Sequence, residues 1–218
     1  MRSVIRSLLL LCAVLVLPVT SSAADSRTPP PLPQAVEGAV GGGTLNLLGY
    51  GRMRKWIWDA FDVSLWITGD TWSWNEPFVL ELRYVRSFDG EEIVEGTRNQ
   101  WEHLGYTNET QLELWLKQLI GIFPDVKVGD QLAGVYLPGR ETHFFHNGQP
   151  IGTMSDPAFG PAFFAIWLDP KSSESRLREE LLGSRCAKPS TIARAEVKSC
   201  GGATMPTPST QRPGAARP

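Results

Sequence analysis

The stretch Val79-Leu80-Glu81-Leu82-Arg83-Tyr84-Val85-Arg86 alternates apolar and polar side chains, a period-two pattern that only a strand sorts onto two faces. Phe78, Leu80, Leu82 and Tyr84 fall on one face, Glu81 and Arg83 on the other. A sheet with one apolar face needs a cover, and the rest of the chain supplies both more strands and the covering elements. Lys55–Ile67, rich in aromatic and β-branched residues, reads as one strand or as two with a bend near Asp59-Ala60. Gln131–Leu137 and Glu141–Phe145 read as two more, and His146-Asn147-Gly148-Gln149 turns the chain as a hairpin into Pro150-Ile151. Strands this close in sequence favour an antiparallel sheet.

Helical periods fill the intervals. Glu91–His103 sets Ile93, Val94, Thr97 and Trp101 roughly on one side, and Asn108 is placed to cap a second helix carrying Leu112, Trp115, Leu116, Leu119 and Ile120. Ser155-Asp156-Pro157 opens a third helix with Pro at its first position and Phe159, Phe163, Ile166 and Trp167 as its inner stripe. Asp169-Pro170 ends it, and Ser172 or Ser173 caps a last helix over Glu174–Leu182, where Leu177 and Leu181 share a face. The expected fold class is α+β, a large antiparallel sheet covered on one face by a layer of helices.

The ends of the chain read differently. Arg2 and Arg6, the apolar run Leu8–Leu17 and Ser22-Ala23-Ala24 form the three parts of a secretory signal peptide over residues 1–24, cleaved after Ala24. The run is shorter than the roughly 20 residues a membrane helix needs, and no second run of that length follows, so no integral membrane span is expected after cleavage. The expected location is periplasmic or secreted. Residues 25–43, with Pro29-Pro30-Pro31-Leu32-Pro33 and Gly41-Gly42-Gly43, read as a Pro/Gly-rich leader, residues 44–183 as the domain, and 184–218 as a disordered basic, Pro-rich tail. Cys186 and Cys200 remain after cleavage as a possible disulfide that would staple the tail and not the core.

Charge narrows the partners. The formal net charge of −2, from 21 basic and 23 acidic residues, argues against a nucleic-acid binder. That sum hides its parts: residues 25–183 hold 13 basic and 22 acidic side chains, and 184–218 hold six basic residues against Glu196 alone. Electrostatic docking is therefore expected through the tail.

Several segments, taken in order, carry a resemblance that periodicity alone does not supply. Gly49-Tyr50-Gly51, Asp59–Trp66, Leu80–Arg86, Phe144–Gly148, Ile151-Gly152, Asp156–Phe159 and Ala162–Pro170 resemble the bacterial chalcone isomerase-like proteins, over roughly Leu45 to Gly183. The resemblance implies a ligand cleft between a large antiparallel sheet and its helix layer. In the plant enzymes that name the fold, an arginine after a Gly-x-Gly turn steadies a phenolate or enolate, and a threonine and a tyrosine organise a catalytic water. A fixed cation and hydrogen-bond donors help where such a charge develops. Aligned without a gap, the arginine position falls on Met53, between Arg52 and Arg54, and the threonine position on Phe61. No residue is assigned a catalytic role.

Arg52 and Arg54 alternate to one side of a strand and, with Lys55, make the densest basic cluster of the domain, as a carboxylate or phenolate anchor would require or as a solvated ion-paired edge would show. Trp56, Trp58 and Trp66 fit the core, whereas Trp72 and Trp74, beside Gly69-Asp70 and Asn75-Glu76-Pro77, belong on a loop at a pocket or interface. His143 and His146, three apart on a strand, face opposite sides, and His103 sits near a helix end, so no metal is expected. Glu81 and Arg83 fit an ion pair better than a general base, although burial of the pair would revive catalysis. No P-loop, dinucleotide fingerprint, nucleophile elbow or HExxH occurs, and no cofactor is expected. The leading expectation is an exported, non-catalytic protein holding a small apolar or acidic ligand, for example a fatty acid, in the cleft. The alternatives are an intramolecular lyase acting on an enone and an envelope interaction module; the sequence names no protein partner.

Overall fold

Six strands pair in chain order, each antiparallel to its neighbour: β1 (Asn46–Lys55), β2 (Trp58–Ile67), β3 (Phe78–Tyr84), β4 (Gln131–Tyr136), β5 (Thr142–His146) and β6 (Gln149–Met154). The structure, a computed structural model, describes residues 29–183 except 56–57 and the side chains of 55–59. The signal peptide, the tail, and the Cys186 and Cys200 pair lie outside the described residues, as do the Trp56 and Trp58 side chains.

The alternation of β3 has the consequence expected of it. Phe78, Leu80, Leu82 and Tyr84 join Val63, Leu65 and Ile67 of β2 and Leu132 and Tyr136 of β4 in one inner core. Four helices cover that face: α2 (Gly90–Leu104), α3 (Glu109–Ile122), α4 (Phe159–Leu168) and α5 (Ser175–Leu181). Apolar area holds them there, and a few buried polar groups set their angles. Trp101 Nε1 donates to the Ala162 carbonyl at 2.8 Å, which ties α2 to α4. Asp156 Oδ2 accepts from Gln111 Nε2 at 2.7 Å and Trp115 Nε1 at 2.9 Å, which ties α3 to the approach of α4. Asn108 caps α3 as its position predicts, its side chain accepting from the Gln111 amide. Helix α4 begins two residues beyond Pro157, because the Asp156 carboxylate first takes the Ala158 amide in a local turn.

Lys55–Ile67 divides between two strands: β1 ends at Lys55 and β2 begins at Trp58, and the expected bend near Asp59-Ala60 is a register shift in which Ala60 is the extra residue. Gly49-Tyr50-Gly51, which the resemblance sets at a Gly-x-Gly turn, is instead the middle of β1. A Cβ at Gly49 would collide with the backbone carbonyls of Glu180 and Leu181, and one at Gly51 with the Leu177 and Glu180 side chains. The two glycines let α5 lie directly on the strand.

Residues 25–43 were expected to lead into the domain without joining it. The described part instead packs on the outer face of the sheet through α1 (Gln34–Gly38). Leu32, Val36 and Val40 are buried there against Trp66, Val79, Ala133, Val135, Leu137 and Phe145. Val36 lies in α1, and Leu32 and Val40 flank the helix on either end. The segment is a strap that covers the outward apolar residues of β2 to β5, so the sheet is buried on both sides along this line.

Candidate ligand cavity

Between the inner face and the helices lies a cavity of about 360 Å³. Strands β3, β4 and β5 give it Leu80, Leu82, Leu132 and Phe144, and α4 gives it Phe163, Ile166 and Trp167. The walls are therefore apolar and aromatic, the kind of surface from which water leaves readily.

Its exposed and half-exposed residues mark the opening. Met53 and Arg54 at the end of β1, Phe61 at the start of β2, Glu92, Ile93, Gly96 and Gln100 on α2, and Glu174 ahead of α5 all line the cavity and retain contact with solvent. Met53 and Phe61 are direct cross-strand partners, so both face inward. Arg54 follows them, with the register shift at Ala60 lying just across the pair.

Few polar groups reach the interior. Thr97 Oγ1 is occupied with the Ile93 carbonyl at 2.9 Å, and Gln100 Oε1 accepts from Ser173 Oγ at 2.8 Å at the surface. Glu92 accepts from the Asp89 amide at 3.1 Å and so closes the start of α2. The Tyr84 ring is 2% exposed and packs edge-on against Phe61, and among the described residues no protein group hydrogen-bonds its hydroxyl. Burial pushes the Tyr84 phenol well above its ordinary range, so it is a neutral donor. Burial likewise raises the Glu174 carboxyl above the usual carboxylate value. The cavity thus offers one internal hydroxyl and a rim with one guanidinium and two carboxyl groups.

Compared with known protein families, residues 32–183 match the family described as chalcone isomerase-like. The chain belongs to the chalcone isomerase-like family. A Haemophilus influenzae relative, described as an uncharacterized protein, is 30% identical over 133 residues, which cover 59% of this chain and 65% of that protein. Among solved structures, a fatty-acid binding protein of Arabidopsis thaliana overlays with a TM-score of 0.49 at 12% identity, covering 66% of this chain and 89% of that one. The six-stranded antiparallel sheet with its helix layer is the chalcone isomerase-like fold.

Within this family fold the two arginines separate. Arg54 lines the cavity, and Arg52 sits on the outer face with its guanidinium on Asp62, NH2 to Oδ2 at 2.8 Å. Glu81 and Arg83 pair at 3.4 Å, with Glu81 buried and also accepting from Ser64 Oγ at 3.0 Å. Burial holds the Glu81 carboxyl above its ordinary value, against the lowering pull of Ser64 and Arg83. This network faces away from the cavity, so burial of the pair does not make Glu81 a base for a ligand there. Trp72 and Trp74 line no part of the cavity. They meet edge-on at 5.0 Å and pack on Phe78, closing one end of the inner core. His143 lies near Thr153 and Glu141, His146 near Asp130, and no group of three metal-ligating side chains occurs among the described residues. Sequence reasoning had treated Tyr84 as core alone. Its place at the end of an otherwise hydrocarbon stripe is the signal that marks it, whereas Glu92, Gln100 and Glu174 carry no such mark.

Proposed function

We propose that this protein is a non-catalytic binder of a small apolar molecule with an acidic end, such as a fatty acid, held between sheet and helices. The observation that carries the reading is the Met53–Phe61 pair. At the two positions where the resemblance to the plant enzymes puts an arginine and a threonine, this chain turns two apolar side chains into the cavity. A wall of this kind favours holding hydrocarbon over stabilising a developing oxyanion. The volume of about 360 Å³ lies within the range of small-molecule pockets, roughly 300–1,000 Å³. Arg54 at the rim supplies a cation for an acid head, and Tyr84 supplies a donor. The basic, apolar and small-residue order of residues 1–24 supports export, which puts the binding step outside the cytoplasm.

Native mass spectrometry after mild purification, followed by solvent extraction and titration with decanoic and dodecanoic acids, tests the reading. A retained acidic lipid, or saturable uptake of either acid by the extracted protein, is expected. A protein that carries nothing and takes up neither acid defeats it. Mass analysis of the N-terminus checks export: the mature chain is expected to begin at Asp25.

A further inference from the structure

Helix α2 borders the cavity along two rows: Glu92, Gly96 and Gln100 at the rim, and Ile93 with Thr97 beside them. The middle of the rim row is glycine. Glycine in a helix interior is markedly less favourable than alanine, and neither backbone conformation nor packing requires it here. Gly96 is not among the glycines with positive φ, and a Cβ built on it would meet no heavy atom within 4 Å. The other cavity-lining glycine behaves oppositely, since a Cβ on Gly134 would come within 2.9 Å of the Phe164 ring. Gly90, at the start of the same helix, would collide with the Phe123 carbonyl. What the missing side chain at position 96 leaves bare is part of the cavity's solvent-exposed rim, which Met53 and Arg54 also line.

We propose that Gly96 is the sill of the ligand's entrance: the apolar end passes over this bare turn of α2 into the cavity, and the acid head comes to rest at the rim beside Arg54. This rests on the ligand-binding reading above and adds the route. A side chain at position 96 obstructs passage in both directions, so it slows loading and release together and leaves affinity nearly unchanged. Contacts with bound ligand would instead show mainly in the dissociation rate.

The test uses anilinonaphthalene sulfonate, an apolar probe with an acid end, displaced by dodecanoic acid to define cavity binding. Stopped-flow association and dissociation are measured for the full chain, Gly96→Ala, Gly96→Leu and the control Gly121→Ala. Gly121 lies in the last turn of α3, away from the cavity, and a Cβ there also meets nothing within 4 Å. Gly96→Ala and Gly121→Ala are expected to melt at or above the parent temperature. Gly96→Leu slows both rates by about tenfold or more, a barrier increase of about 1.4 kcal/mol, with Kd within about threefold. Gly96→Ala shifts both rates the same way by about threefold and decides the matter if the leucine variant does not fold. Gly121→Ala leaves both rates at the parent values. Unchanged rates in the Gly96 variants, or weaker binding with unchanged association, overturn the entrance while leaving ligand binding intact. A parent protein that takes up no displaceable probe overturns the ligand-binding reading, and the entrance with it.

Discussion

Tyr84 is the residue whose chemistry and packing pull apart most clearly. Its ring is fixed between Phe61 and Phe88, yet its hydroxyl has no protein partner among the described residues. Removing a hydroxyl that no described residue hydrogen-bonds costs the fold little, so Tyr84→Phe is expected to leave unfolding free energy unchanged or raise it by up to about 1 kcal/mol. Affinity for dodecanoic acid falls in the same variant, by about fivefold, the worth of one hydrogen bond of about 1 kcal/mol. Equal affinity in a calorimetric titration would place the acid head elsewhere. Glu81 is the opposite case, a carboxyl whose burial is structural. Its pKa is raised in the folded state, so the native chain holds its proton to higher pH than the unfolded chain does. The stability that this group contributes is then fully present at and below pH 4.5, its ordinary value, and is lost as pH rises through the folded pKa, with Glu174 acting in the same direction and the lowered carboxyls of Asp130 and Glu141 in the opposite one, on acidification. Urea unfolding from pH 4.5 upward is expected to show that decline, and Glu81→Gln to flatten it. The pairing of Glu81 with Arg83 was legible because residues two apart share a strand face. Its burial was not, because that depends on neighbours brought in from other strands, Ser64 of β2 among them.

At the scale of elements, close approach governs β1 and α5. Gly49→Ala drives a methyl into helix backbone that has no rotamer to yield, and is expected to cost about 2–3 kcal/mol in chemical denaturation. Gly69→Ala, where the added carbon meets nothing within 4 Å, should stay within about 0.5 kcal/mol. The resemblance sets Gly49-Tyr50-Gly51 at a turn, and only the helix arriving from far along the chain shows what the two glycines do here. Strand β3 was legible for the converse reason: period two is a property of the strand itself. The strap was missed because proline and glycine dominate its composition, although Leu32, Val36 and Val40 recur within it at every fourth residue. Val36 is fully buried, so Val36→Ala is expected to cost about 2 kcal/mol, where a segment outside the domain would cost nothing. The cavity was legible only through family resemblance, since no periodicity marks a space left unfilled.

At the scale of the whole molecule, residues 25–183 carry a balance of −9 beside a basic tail. Binding to vesicles containing an anionic lipid is therefore expected to require residues 184–218, to weaken steeply with added salt, and to vanish in a chain ending at Gly183. Cosedimentation at two salt concentrations checks this. The strap has a consequence in time. Its partners Trp66, Val79, Val135 and Phe145 all lie downstream, so the part of the domain synthesised first is among the last that can dock. Until β5 is in place the nascent sheet presents a bare apolar outer face, and an early-emerging segment must wait for it. Closure by the N-terminal segment is then expected to set how long the folding chain stays open to chaperones and proteases.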